Sequence, residues 1–261
     1  MALGLMVPTV IEYKPQPLLS RYVESYLHIK SGDGFSKSII PHHSFVLTVK
    51  LKGNHKYQTN TNLDVNSLPS ISLTGLRKTA KHNILSKDTE IFIIKFQPWG
   101  AFSFFKRPMH QLNEIGISAY DLWDKVSLNH LSEQLLESED DQTKLVKLED
   151  FLLKRIKSQT IDIRIVEAIS VMAQNQGSIK IKEVASSINL SIDTFEKKFR
   201  EITGGTPKQI ATIIRMNSAI KNIQKYSSFT NLAHDFGYFD QSHFIREFKS
   251  FTGKTPTEFL I

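Results

Sequence analysis

The chain has 261 residues, of which 40% are hydrophobic and 23% are charged, as in a globular protein of one or two domains. It carries a net charge of +7 and no cysteine, which excludes a disulfide scaffold, a thiolate zinc site and a cysteine nucleophile. No apolar run reaches the roughly 18 residues that span a bilayer, and no Lys or Arg precedes the apolar N-terminus. We therefore expect a cytoplasmic protein without a membrane partner.

Up to about residue 100 the pattern favours β-strands. Apolar residues alternate over His43 to Lys52, Gly53-Asn54 follows as a turn, and Tyr57 to Thr61 is predicted as the next strand. The β-branched and aromatic run Ile91 to Phe96 is typical of a buried strand and is stopped by Gln97-Pro98.

Beyond Trp99 the hydrophobic period becomes helical. Helices are predicted over Ala101 to Lys106, Leu128 to Glu137 and Lys144 to Lys157, with an exposed loop over Glu137 to Gln142. Every later segment is helical and capped, so the polar stretch Ser158-Gln159-Thr160 is predicted to separate two domains, residues 1–158 and 159–261.

The last hundred residues contain an internal repeat. The offset between the copies is 48 residues before a turn and 49 after it, which makes Phe239 the extra residue of the second copy. The first copy has Ala185, Ile188, Phe195, Phe199, Gly204 and Thr206-Pro207, which recur as Ala233, Phe236, Phe244, Phe248, Gly253 and Thr255-Pro256.

Each copy has the features of a helix-turn-helix. The small residue of each copy, Ala185 or Ala233, lets two helices cross closely, and Asn189 or Gly237 accepts the positive φ of a sharp turn. Ser191 and Asp240 are N-caps for a following helix that carries a stripe of Phe residues. Gly204 and Gly253 suit helix C-termini, whereas Pro207 and Pro256 suit first helical positions.

A single helix is predicted over Pro207 to Tyr226, between the copies. Some 18 residues would span roughly 27 Å. That length approaches the roughly 34 Å between successive major grooves on one face of B-DNA.

This arrangement, with the second copy reading LAHDFGYFDQSHFIREFKSFTGKTPTEF over residues 232–259, resembles the DNA-binding domain of the AraC/XylS family of bacterial transcription regulators. The resemblance implies two recognition helices in successive major grooves of double-stranded DNA, contact with RNA polymerase, and an N-terminal domain that binds a small-molecule effector or forms a homodimer. One departure is Asn189, where a glycine is common.

The segment Phe96 to Pro108 is similar to the N-terminal domains of some AraC-type regulators whose ligand is not established, and other members carry a cupin-like β-barrel. The predicted fold class is α+β, with a barrel or sheet followed by an all-α domain.

The resemblance also assigns the DNA contacts by position. The residues predicted to read bases are Asp193, Glu196, Lys197, Gln241, Ser242 and Arg246, and those predicted to contact phosphates are Lys198, Arg200, Arg215 and Lys249. Arg246 can donate two hydrogen bonds to guanine, and Gln241 can pair with adenine. Two carboxylates in the first helix are repelled by phosphate, so we expect the second helix to dominate. The half from residue 159 onward has 13 basic and 10 acidic residues, so local placement of charge must matter more than the overall field.

Three alternatives concern the N-terminal domain and the type of DNA binding. A cupin-type metal centre could be formed by His42, His43, His55 and His82, which would make the chain a metalloenzyme fused to a DNA-binding module. The favoured interpretation is that these are ordinary polar or core histidines. The aromatic set Phe96, Trp99, Phe102, Phe104 and Phe105 is either an effector pocket or core, with core favoured. A structural DNA-bending protein with little sequence preference is the third alternative.

No nucleotide-binding, zinc-protease or nucleophile-elbow motif is present, so we predict no enzyme activity, no cofactor and no metal.

Overall fold

The computed structural model describes residues 8–59, 64–105, 107–113, 115–157 and 161–260. The predicted boundary at Ser158-Gln159-Thr160 and most of the apolar N-terminus lie outside these ranges. Within them, none of the helices combines the length and the apolar character of a membrane span.

The N-terminal part contains ten strands in two antiparallel sheets. Their bounds are β1 Thr9–Tyr13, β2 Val23–Lys30, β3 Phe35–Ile39, β4 Val46–Lys52, β5 His55–Thr59, β6 Asn66–Ser67, β7 Ile71–Thr74, β8 Lys81–Leu85, β9 Glu90–Phe96 and β10 Ile117–Ser118. The first sheet has the order β1-β2-β9-β4-β7-β10 and the second has the order β3-β8-β5-β6. The described strands therefore form two open sheets and not a closed barrel, and the sheet alternative of the α+β prediction is confirmed.

Nine helices follow in the described residues. Their bounds are α1 Lys125–Leu136, α2 Asp141–Leu153, α3 Ile163–Gln174, α4 Ile181–Ser187, α5 Ile192–Thr203, α6 Pro207–Asn222, α7 Phe229–Asp235, α8 Gln241–Thr252 and α9 Pro256–Leu260. Helices α4 and α5 form the first helix-turn-helix, and α7 and α8 form the second. Helix α6 links them.

Several predicted elements differ from those observed. The segment predicted as a helix from Ala101 is a 3₁₀ helix over Gly100–Ser103, because its backbone is held against Tyr22: a Cβ on Gly100 would lie 1.9 Å from the Tyr22 carbonyl oxygen. The linking helix ends at Asn222, and a 3₁₀ turn over Ile223–Lys225 replaces its predicted last turn. The strand predicted from Tyr57 begins at His55, and its predicted end at residues 60–61 lies outside the described ranges.

Two large buried clusters divide the molecule, and they do not follow the predicted domain boundary. The larger cluster joins one face of the first sheet to α1, α2 and the first helix-turn-helix, and it contains Phe45, Phe92, Phe195 and Phe199. The smaller one belongs to the second helix-turn-helix, where it buries Phe244 and its neighbours. The first unit thus shares its core with the N-terminal part, while the second has a core of its own.

The aromatic set of the Phe96–Pro108 segment contributes to the larger cluster. Phe96, Phe102, Phe104 and Phe105 are all buried in it, and Trp99 packs at its edge. The interpretation as core is therefore the one that the packing supports.

Candidate DNA-binding surface

The turn of each helix-turn-helix is built from the same local bonds. Asn189 has a φ of 55° and Gly237 a φ of 69°, and both follow short helices whose Ala185 and Ala233 are almost fully buried. The N–H of Leu190 donates to the carbonyl of Ala185 over 3.0 Å, and the equivalent bond of the second copy measures 2.9 Å. The asparagine of the first copy therefore adopts the left-handed backbone conformation that a glycine adopts in the second copy.

Each recognition helix is capped at both ends as predicted. The Ser191 hydroxyl accepts from the N–H of Thr194, and the Asp240 carboxylate accepts from the N–H of His243 over 2.6 Å. Both helices end at a glycine with a φ of 83°, Gly204 in α5 and Gly253 in α8. The next helices begin at Pro207 and Pro256, each directly after a threonine cap.

The apolar stripe of each recognition helix is buried and its polar face is exposed. Phe195 and Phe199 pack edge to face at 5.3 Å in α5, and Phe244 and Phe248 do so at 5.5 Å in α8. All six residues predicted to read bases are exposed on the opposite faces: Asp193, Glu196, Lys197, Gln241, Ser242 and Arg246. The described N-terminal residues leave these six side chains exposed.

Two of the four predicted phosphate contacts are engaged in ion pairs within the protein. Lys198 lies 2.9 Å from the carboxylate of Asp162, the N-cap of α3, and Arg215 on α6 lies 3.1 Å from the carboxylate of Glu247. The other two, Arg200 and Lys249, are exposed. In each unit an ion pair thus fastens the recognition helix to the helix that precedes the unit.

The pair in the second unit is reinforced by an aromatic ring. The Arg215 guanidinium lies 4.2 Å from the ring centre of Tyr238, whose hydroxyl donates to Glu247 over 3.3 Å. Burial and the neighbouring Glu247 carboxylate raise the pKa of Tyr238, so this hydroxyl keeps its proton. In the first unit the hydrogen bonds from Arg164 and Lys198 lower the pKa of Asp162.

Two features of the second unit were not predicted from the sequence. The Thr230 hydroxyl donates to the side-chain carbonyl of Gln241 over 2.7 Å, which orients the Gln241 amide before DNA arrives. Phe239, the extra residue of the repeat, is 93% exposed immediately before the cap of α8. The sequence signal for Phe239 is that the first copy of the repeat has no corresponding residue.

The N-terminal part contacts both units. Phe45 and Asn113 pack against Gly204 at the end of α5, and the Asn113 amide donates to the Gly204 carbonyl. The second unit is contacted by Ile40, which packs against its buried cluster, and by the Ala80 N–H, which donates to the Phe251 carbonyl over 3.0 Å. The Asn217 amide of the linking helix α6 donates to the Pro41 carbonyl over 3.1 Å.

The four histidines considered as metal ligands do not form a site. His55 and His82 point to opposite faces of the second sheet, because His82 pairs with Gln58 in the register and bonds to serines of β3. His42 and His43 stack on one another at 4.4 Å. The structure therefore gives the metalloenzyme alternative no centre among these side chains.

A different group does bring three potential ligands together in the described residues: His28, Glu90 and Asp141. Lys144 donates to Glu90 over 2.8 Å and Lys30 donates to Asp141 over 3.0 Å, so two ammonium groups already neutralise the carboxylates that a cation would need. Hydrogen bonds from His28 and Lys144 lower the pKa of Glu90 to about 2. The network fastens α2 to the first sheet.

Comparison with known proteins agrees with this architecture. Residues 184–260 match the family model described as a helix-turn-helix domain, and residues 11–118 match a domain of unknown function, DUF6597. None of the curated proteins compared with the chain matches it.

Solved structures give more distant similarities. ToxT from Vibrio cholerae is 14% identical, with 98% of each chain covered and a TM-score of 0.47. An AraC-type transcriptional regulator from Chromobacterium violaceum is 24% identical over 36% of this chain and 87% of its own, with a TM-score of 0.34. A dual regulator from Escherichia coli K-12 is 28% identical over 37% and 93%, with a TM-score of 0.34. These values are too low to add to the assignment, which depends on the two family models. The C-terminal part of the chain is an AraC-type helix-turn-helix domain, the DNA-binding module of transcription regulators, and a domain of unknown function precedes it.

Proposed function

We propose that the chain is a sequence-specific transcription regulator that places α5 and α8 in successive major grooves of double-stranded DNA. The observation that carries the proposal is the pair of recognition helices with buried Phe stripes and exposed polar faces, joined by one helix. At about 1.5 Å per residue the 16 residues of α6 span roughly 24 Å. The helix-turn-helix units at its ends, α4–α5 (the first head) and α7–α8 (the second head), bring the separation of the recognition helices towards one helical turn of B-DNA.

The two heads are proposed to contribute unequally. In α8, Arg246 is an exposed donor suited to guanine, and Gln241 offers its amide N–H groups while Thr230 occupies one position on its carbonyl oxygen. In α5, Asp193 and Glu196 favour only a base that donates, such as cytosine. Specific affinity therefore depends mainly on the second head.

Phe239 adds an apolar contact to the second head in this proposal. An aromatic ring at the start of a recognition helix is placed to meet the C5 methyl group of thymine, which only the major groove displays. We assign Arg200 and Lys249 to phosphates, and Lys198 and Arg215 to holding the recognition helices in place.

The N-terminal domain is proposed to act on the distance between the heads. The first head shares the large buried cluster with it, whereas the second is contacted by Ile40 and a few hydrogen bonds. An effector or a second copy of the chain that changes these bonds would move the second head relative to the first, and thereby change contact with RNA polymerase. The proposed division of the chain remains 1–158 and 159–261.

Selection of DNA sites from a random library by the full chain, followed by hydroxyl-radical footprinting, tests the proposal. We expect two protected segments about one helical turn apart, and an affinity ratio of specific to nonspecific DNA of at least about 10³. Arg246→Ala should relax the preference at one base pair of the selected motif, while Arg107→Ala, an exposed arginine of the N-terminal part, should leave the motif unchanged. Enrichment of no motif would support the DNA-bending alternative instead.

A further inference from the structure

One end of the space between the two sheets is polar and positively charged. In the register of β5 and β8, Tyr57 pairs with Asn83, Thr59 with Lys81 and His55 with Leu85, so these residues share one face of the second sheet. Leu85 is buried against Ile29 and Ile91 of the first sheet, which shows that this face points towards that sheet. The inter-sheet basic site is defined as Lys50, His55, Tyr57, Lys81 and Asn83.

The two buried members of this site, Lys81 and His55, meet no counter-charge among the described residues. Lys81 is 6% exposed, and its ammonium group lies 5.6 Å from the ring centre of Tyr57. Across the described part of the chain, no salt bridge involves Lys50 or Lys81. Neighbouring Arg77 donates only to backbone carbonyls.

The imidazole of the site is also unsatisfied. His55 is 3% exposed, and neither of its ring nitrogens has a hydrogen-bond partner of good geometry, nor has the side-chain oxygen of the adjacent Asn83. Burial, Lys81 and Lys50 outweigh Asn83 and lower the pKa of His55 to about 4, and burial and Arg77 lower the pKa of Lys81 to about 7. The cations thus disfavour one another in a space where none of the described carboxylates pairs with Lys50 or Lys81.

Charged and polar side chains are unusual between two packed sheets. The inner faces of a sandwich normally interdigitate apolar side chains, and a buried charge costs several kcal/mol unless it is paired. Lys50, Tyr57 and Asn83 are only partly buried, so this side of the site reaches solvent. A counter-charge from outside the chain therefore has both a reason to bind and a way in.

We propose that the inter-sheet basic site binds a small organic anion, whose carboxylate or phosphate accepts hydrogen bonds from Lys81, His55 and Asn83. Its apolar part lies along Leu85 towards the apolar end of the space. The anion class follows from the uncompensated cations, and carboxylate and phosphate share the oxygen acceptors that these donors require.

The position of the site connects it to the second head. Lys81 begins β8, and the preceding Ala80 donates the hydrogen bond to Phe251 at the end of α8. Arg77 binds the carbonyls of Ile39 and Ile40, next to the Pro41 carbonyl that accepts from α6. An anion that binds Lys81 therefore acts on the strand end that holds the recognition helix. This regulatory role rests on the proposed function; binding of the anion does not.

Calorimetric titration of the full chain with benzoate and with phenyl phosphate tests the site, with benzyl alcohol as the uncharged probe. We expect one or both anions to bind, benzyl alcohol not to bind, and Lys81→Met to weaken binding by about tenfold or more. Lys87→Met is the matched control, because Lys87 is an exposed lysine in the turn after β8. Lys50→Met, at a less buried position, should weaken binding in the same direction.

Thermal unfolding without any probe gives a second readout. Removal of an uncompensated buried charge should raise the melting temperature of Lys81→Met above that of the wild type, whereas a structural role for the ammonium group would lower it. Absence of anion binding, equal binding by Lys81→Met, or equal binding of benzyl alcohol would overturn the proposal.

Footprinting on the selected DNA site separates the two proposals. Anion binding without any DNA binding would refute the proposed function alone. DNA binding that the bound anion does not alter would refute the regulatory role of the site alone.

Discussion

The junction between the N-terminal part and the first recognition helix can be tested at Gly204. This residue and Gly253 end the two recognition helices with the same φ of 83°, but Gly204 is buried and Gly253 is exposed. A Cβ at Gly204 would lie 2.8 and 2.9 Å from two ring carbons of Phe45 and 3.0 Å from the side-chain oxygen of Asn113. Substitution by alanine therefore adds backbone strain at both positions and a steric clash at only one.

The expected free energies follow from these contacts. Left-handed backbone costs an L-residue about 1–2 kcal/mol, of which roughly 0.4–1 kcal/mol is offset by the lower entropy of the unfolded chain. Overpacking adds about 1–3 kcal/mol. We expect Gly204→Ala to lower the free energy of unfolding by about 2–4 kcal/mol and Gly253→Ala by about 1 kcal/mol.

Urea unfolding of the full chain, followed by circular dichroism, measures the difference. Phe45→Leu removes the ring atoms that the new methyl group meets, so the double variant with Gly204→Ala should be more stable than the sum of the two single effects predicts. Equal losses at Gly204 and Gly253, or strictly additive effects with Phe45→Leu, would show that the two parts are not packed as described.

Four further predictions concern DNA binding. Arg246→Ala should cost about 1–3 kcal/mol on the selected site and relax the preference at one base pair, as measured by fluorescence anisotropy on single-base variants; uniform weakening would instead indicate a phosphate contact. Asp193→Asn combined with Glu196→Gln should raise affinity for nonspecific DNA without steepening the salt dependence, and unchanged affinity would show that the acidic face does not limit binding. Replacement of thymine by uracil in the site should weaken the wild type but not Phe239→Ala, and equal losses in both would remove Phe239 from the base contacts. Arg215→Ala should lower the stability measured in urea by about 1–2 kcal/mol because Glu247 loses its partner, and the slope of log affinity against log salt should stay unchanged; a shallower slope would make Arg215 a phosphate contact.

The features that could be predicted from the sequence are those set by neighbouring residues. The cap at Ser191, the positive φ at Asn189 and the proline start of α6 each depend on a window of about four residues, and all are present. Three of the ten described strands, β4, β5 and β9, were predicted for the same reason, because an apolar alternation or a β-branched run is local. Which strands pair is not local, because the chain crosses between the two open sheets several times along its length. The crossing at Gly53 needs a glycine, since a Cβ there would lie 2.6 Å from the Thr89 Cα.

The roles of charged side chains were the least predictable part of the DNA-binding surface. Lys198 and Arg215 have the position and charge of phosphate contacts, but their partners Asp162 and Glu247 lie 36 and 32 residues away in the sequence. Only the packing of helices brings such groups to 2.9 and 3.1 Å from one another. Sequence position could therefore place these side chains on the right helices without showing that they were already engaged.

The same two ion pairs change how the charge of each head should be counted. Helix α5 has three acidic and three basic residues, and Asp162 engages one of the basic ones, so its free side chains are net negative. Helix α8 has two basic residues and the acidic Glu247, which Arg215 neutralises, so its free side chains are net positive. Because phosphate attraction falls off within about 10 Å at ordinary salt, these local charges matter more to each head than the weak net charge of the whole domain. The ion pairs within the protein therefore strengthen the contrast between the heads, and they give a physical reason for the second head to dominate that the sequence composition alone does not contain.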